Sequence, residues 1–206
     1  MASIFPESMP SRSSTLASID AGARAHLRYI RETIEAAHTF TSVPGKGCIA
    51  MGLTALVAAG LDSIAALSAY WLPIWLGAAA TAIGLASYFL VKKAKAQGLS
   101  LWGGVARRFF LTLLPALIAG AVLTVALLES GARDLVSGAW LLLYGAGLAA
   151  SGVFSIRPVM LTGFGFMMLG ALALALPQSF STALLATGFG GFHLALGLII
   201  QRRHGG

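Results

Sequence analysis

The chain has 206 residues, 57% of them hydrophobic and 10% charged, with a mean hydropathy of +0.84. A soluble domain carries about a quarter charged residues, so this composition excludes an ordinary soluble fold and points to a membrane protein. The net charge of +7 does not indicate nucleic acid, because the basic residues are scattered between apolar runs instead of forming one stripe with interleaved aromatics.

Residues 1–17 open the stretch "MASIFPESMPSRSSTLAS", which is broken by Pro6 and Pro10, is rich in serine and has no apolar core of signal-peptide length. It reads as a flexible tail. Over residues 18–40, Ile19, Ala23, Leu27, Ile30 and Ile34 recur at three- and four-residue steps, while Arg24, Arg28 and Arg31 occupy mostly other faces. That pattern predicts an amphipathic helix, started by Ser18 or Asp20, with its apolar stripe in the membrane interface and its arginines toward anionic headgroups. Its competing use is a docking face for a protein partner, with Arg24, Arg28 and Arg31 as contacts.

"TSVPGKG" breaks the helix at Pro44, Gly45 and Gly47. It is not a phosphate loop: the first glycine of that motif is missing, Gly47 replaces the required Ser or Thr after Lys46, and no strand precedes it. A single cysteine, Cys48, excludes an intrachain disulfide and a zinc cluster built on cysteine spacing.

Six apolar spans follow, at about residues 48–61, 70–91, 109–128, 135–154, 159–176 and 180–201. A single helix over 48–91 would be too long for a bilayer, and Asp62 is the expected break. The fold class is therefore an all-α polytopic transmembrane bundle of six helices (domain 43–203) preceded by a cytoplasmic or interfacial amphipathic helix.

With the N-terminus inside, 13 of the 14 Lys and Arg residues fall on the inner side and only Arg133 lies outside, where the turns hold Asp62, Glu129 and Asp134. Both termini are then expected in the cytoplasm. Trp71 and Trp75 near one interface and Trp102 in the basic connector "KKAKAQGLSLWGGVARR" fit an aromatic belt. Glu129, Arg133 and Asp134 share one loop as a solvated local ion pair. Pro73 and Pro115 fall early in their spans and bend or start them.

Small residues recur at four-residue intervals: Gly77 with Thr81, Ala80 with Gly84, Ala116 with Gly120 and Thr124, Gly145 with Ala149, and Gly147 with Ser151. They let helices approach closely where lipid supplies no hydrophobic drive. "TGFG" occurs at both 162–165 and 187–190, but Gly163 lies six residues from Arg157, roughly 9 Å along a helix, and Gly188 lies fourteen from Arg202, roughly 21 Å. The unequal depths favour chance composition over an inverted repeat.

His193 is nine residues before Arg202, roughly 14 Å up the helix and close to the middle of a hydrocarbon core about 30 Å thick. An intramembrane ionisable residue is a functional candidate by default. Tyr144, near the middle of the fourth span, is its first candidate partner, with Thr162, Thr187 and Ser151 as further hydroxyls. The favoured role is a neutral imidazole bonded across helices. A substrate or quinone contact and a proton relay are the alternatives. Haem ligation has only Met167 or Met168 as a second ligand, since His26, His38 and His204 lie outside the spans. No Gly-x-Ser-x-Gly elbow, His-Glu-x-x-His or paired intramembrane carboxylates occur, so an enzyme is not expected, nor a cofactor.

The stretches "YIRETIEAAHTFTSVPGKGCIAMGLTAL", "GAWLLLYGAG" and "GFGGFHLALGLIIQRRHGG" resemble those of a family of bacterial multipass proteins usually labelled only as hypothetical membrane proteins. The resemblance covers most of the chain after the tail, with Lys46 and Cys48 departing from a more glycine- and aromatic-rich form. It implies the bacterial inner membrane and carries over no reaction, cofactor or catalytic residue. The hairpins with Pro177 and spaced glycines are also similar, as a fold analogy, to small six-helix stress-linked membrane proteins. Two functions are expected from this reading. The first is a non-enzymatic anchoring, regulatory or accessory subunit that meets a protein partner through residues 18–40. The second is a small oligomeric transporter or channel with a midplane site at His193 and Tyr144.

Overall fold

Residues 26, 27, 30, 43–96 and 104–203 are described by a computed structural model of the chain. Two units are distinguished, Met1–His38 and Thr39–Gly206. In the first, His26, Leu27 and Ile30 are helical and exposed. The rest of the expected amphipathic helix, with Arg24, Arg28 and Arg31, lies outside the described residues, as do the tail and Trp102.

The second unit begins where Pro44, in an extended conformation, leads into α1 (Gly45–Asp62). Proline cannot supply an amide to a preceding turn, so a helix starts after it more readily than it continues through it. The first span thus reaches three residues earlier than the apolar run alone predicts and ends at the expected break, Asp62. A 3₁₀ turn over Ala65–Tyr70 delivers the chain into α2 (Trp71–Ala96).

Helix α3 (Gly104–Glu129) carries Pro115 in its interior. It is followed by Gly131, whose φ of +76° is a left-handed conformation that a side chain would strain. A short 3₁₀ turn, Arg133–Leu135, then enters α4 (Val136–Gly152). Helix α5 (Arg157–Ala175) has Pro158 in its first turn, where the missing N–H has no helical partner to lose.

The sixth span is not one regular helix. It comprises α6 (Ser181–Leu185), a π-helical segment over Ala186–Phe192 and α7 (His193–Arg203). Among the described residues, six helical stretches are long and apolar enough to cross a membrane, the architecture of a multipass membrane protein. Among the described residues there is no strand.

Helix α1 packs against α2 and α7, while α4 packs between α3 and α5; the sixth span touches both groups. Antiparallel threading gathers Lys46, Lys92, Lys93, Lys95, Arg107, Arg108, Arg157, Arg202 and Arg203 at one end of the bundle. Asp62, Glu129, Arg133 and Asp134 gather at the other.

The small residues divide into two classes. A Cβ at Gly145 would stand 2.7 Å from the Gly163 carbonyl oxygen, and one at Gly147 would stand 2.7 Å from the Ala116 Cβ, so these glycines are where α4 meets α5 and α3. Gly77 and Gly84 on α2 face open space, with nothing within 4 Å. Helices α2 and α3 flank the bundle, with only Trp71, Trp75 and Ala94 of the one and Ala106, Phe109 and Thr124 of the other buried.

Candidate functional site

The candidate site around His193 is assembled by glycines. Gly145, beside Tyr144, admits α5 so closely that Phe166 comes edge-on to the tyrosine ring, with centroids 4.9 Å apart. Gly188 does the same for the sixth span, since a Cβ there would stand 2.9 Å from the Phe166 ring. On the other side, Gly190 meets Leu56, and Gly52 of α1 meets the Gly190 carbonyl. This glycine-rich stretch, "ATGFGGF", is the π-helical segment. A widened turn of this kind recurs at functional sites because it redirects the side chains that follow it.

The first residue after the π segment is His193, 2% exposed. Its Nδ1 lies 3.0 Å from the Phe189 carbonyl oxygen, and its Nε2 lies 2.8 Å from the Tyr144 hydroxyl. A carbonyl can only accept, so Nδ1 is the protonated nitrogen; in the neutral ring Nε2 then accepts from the tyrosine O–H. Both ring nitrogens are therefore occupied by the protein itself. Phe189 stacks parallel to the imidazole at 6.2 Å, and Phe166 meets it edge-on at 5.4 Å, completing an aromatic cage.

The structure thus brings together the two residues that the sequence singles out. Of the other candidate hydroxyls, Thr162, Thr187 and Ser151 each donate to a carbonyl four residues back in their own helix, Pro158, Ala183 and Gly147 respectively. Met168 is exposed, and Met167 packs its backbone on Gly145. The two TGFG copies adopt unlike conformations, one α-helical and one π-helical. Among the described residues no three His, Cys, Asp or Glu side chains converge in a metal-binding arrangement.

A second polar cluster lies near the acidic end and is not legible in the sequence. Asp62 is buried, and its Oδ2 accepts from Trp75 Nε1 at 3.3 Å and from the Thr182 hydroxyl at 2.6 Å. Trp71 stacks on Trp140 with centroids 5.4 Å apart, and Trp140 Nε1 donates to Thr124 Oγ1 at 2.7 Å. Ser137 donates to Ser181 at 3.1 Å. Trp71 and Trp75 therefore face the protein interior, not a lipid belt, because each has a specific inward partner. Arg133 lies with its guanidinium 5.4 Å from the Trp71 ring centroid, a cation–π contact.

This cluster ties α1 to α2 and to the sixth span through one carboxylate. Asp62→Ala leaves an indole N–H and a hydroxyl without an acceptor, at a cost of about 2 kcal/mol. The expected result is a fall in Tm of roughly 4–8 °C in detergent, smaller for Asp62→Asn, whose amide oxygen still accepts. An unchanged Tm in Asp62→Ala would show that the carboxylate holds nothing.

No family model, curated protein or solved structure matches the chain.

Proposed function

We propose that this chain is a non-enzymatic module of the bacterial inner membrane, an anchoring, regulatory or accessory subunit of a membrane complex, with both termini cytoplasmic. The observation that carries the reading is the saturation of His193. With Nδ1 on Phe189 and Nε2 on Tyr144, and with rings packed around it, the imidazole is committed to holding α4 to the sixth span. A substrate or a travelling proton would first have to break that pair. The orientation rests on the clustering of basic residues at one end of the bundle. The partner contact is assigned to residues 18–40, in which Leu27 and Ile30 are exposed apolar side chains on helical backbone.

The test is gentle extraction of the tagged full-length chain from native membranes, followed by mass determination and identification of what travels with it. The expected result is a stoichiometric partner that is lost when residues 1–40 are deleted, while the remaining chain still inserts. Association unaltered by the deletion would remove residues 18–40 as the contact. A clean homo-oligomer would favour the second reading, a small oligomeric transporter or channel using His193 and Tyr144. One observation speaks for that reading: the π-helical turn immediately before the histidine.

A further inference from the structure

A groove of about 390 Å³ runs between α5 and α7 on the outer surface of the bundle. Its walls are apolar along most of their length, with Leu161 and Gly165 on one side and Phe192, Ala195 and Ile199 on the other. Its lining ends at Pro158 and Arg203, the first turn of α5 and the last residue of α7. The groove therefore has a greasy body at membrane depth and one cationic lip where a span ends, the height at which phospholipid headgroups lie.

The charge at that lip has no acidic counterpart among the described residues. Asp62, Glu129 and Asp134 all lie at the opposite end of the bundle, and of the arginines at this end Arg203 is the one that lines the groove. A guanidinium pairs with a phosphate in a bidentate fork. The Thr162 hydroxyl is turned inward to the Pro158 carbonyl, so the groove below the lip offers little to a polar ligand.

We propose that this groove is a binding site for an anionic phospholipid of the surrounding bilayer, one acyl chain lying along Leu161, Phe192 and Ile199 and the headgroup phosphate on Arg203. The inner end of the chain rests on Phe192, whose ring is 5.5 Å from Phe166, itself in the cage around His193. The lipid therefore supports the outer wall of the midplane cluster. The site stands whether the protein is an accessory subunit or a transporter, and it needs no particular leaflet.

The test is native mass spectrometry of the full-length protein, delipidated and then titrated with phosphatidylglycerol or phosphatidylcholine of identical chains. The expected result is preferential retention of one phosphatidylglycerol, by about fivefold, for the contribution of one arginine at an anionic surface. Arg203→Gln should abolish the preference. Ala195→Phe, which fills the groove from an exposed position, should lower retention of both lipids. Arg107→Gln, at the same end of the bundle but on α3, should leave the preference intact. Equal retention of the two lipids by the parent, a preference that survives Arg203→Gln, or retention that survives Ala195→Phe would overturn the site. An equal loss in Arg107→Gln would do the same, by tracing the preference to diffuse surface charge.

Discussion

Gly163→Leu is expected to unseat α5 from α4 and to lower Tm by roughly 6–12 °C, equivalent to about 3 kcal/mol. A Cβ at this position runs into the Ala149 backbone nitrogen and Cα and the Gly145 carbonyl oxygen, all of them main-chain atoms. A rotamer change cannot relieve such a contact, so the two helices must separate along their length. The seam is reciprocal: a Cβ at Gly145 meets Gly163 and Met167 backbone, and one at Gly170 meets the Leu142 backbone nitrogen. Separation also withdraws Phe166 from Tyr144, so the damage extends to the cluster around His193. Gly77→Leu and Gly84→Leu are the matched controls, because nothing lies within 4 Å of either position. Thermal melts in one detergent decide the matter. Equal stability of Gly163→Leu and Gly77→Leu would mean that the glycines of α4 and α5 do not set the helix spacing.

The contrast between these glycines marks how far the sequence could be read. The six spans are legible because an apolar run of bilayer length has few other uses, and the break at Asp62 follows because α1 and α2 together exceed one crossing. The pairing of Tyr144 with His193 is legible for a related reason. A buried imidazole needs a partner, and few polar groups share its depth. Which small residues face a neighbour is not legible, since Gly77 with Thr81 and Gly145 with Ala149 carry the same four-residue signature and only the second pair is packed. The π-helical turn is equally hidden. Glycines at 188, 190 and 191 permit it, but the contacts to Leu56, Leu141 and Phe166 that accompany it come from three other spans. Asp62 reads as a loop carboxylate until Thr182, 120 residues away, is brought to it.

His193→Ala is expected to destabilise the protein by about 3 kcal/mol, because two losses coincide. The ring leaves a cavity among Phe166, Phe189 and Tyr144, and the Tyr144 hydroxyl loses its acceptor. Tyr144→Phe keeps every ring in place and removes only the bond, so its cost is held to about 1 kcal/mol, within the range of interhelical hydrogen bonds measured in membranes. A double-mutant cycle with His193→Ala should return a coupling of the same size, and a coupling near zero would deny the pair its role as a tie between α4 and the sixth span. The milder variant also separates the two functional readings. If His193 only holds helices together, Tyr144→Phe in the full chain keeps its partner and shows no flux in reconstituted vesicles that the parent lacks. If the pair lines a transport site, the parent carries a solute and Tyr144→Phe loses that flux while melting within a few degrees of it. Loss of flux in His193→Ala alone would not discriminate, since a cavity of that size disturbs the bundle on either reading. The hydroxyl, not the imidazole, is therefore the group whose removal reports function apart from fold.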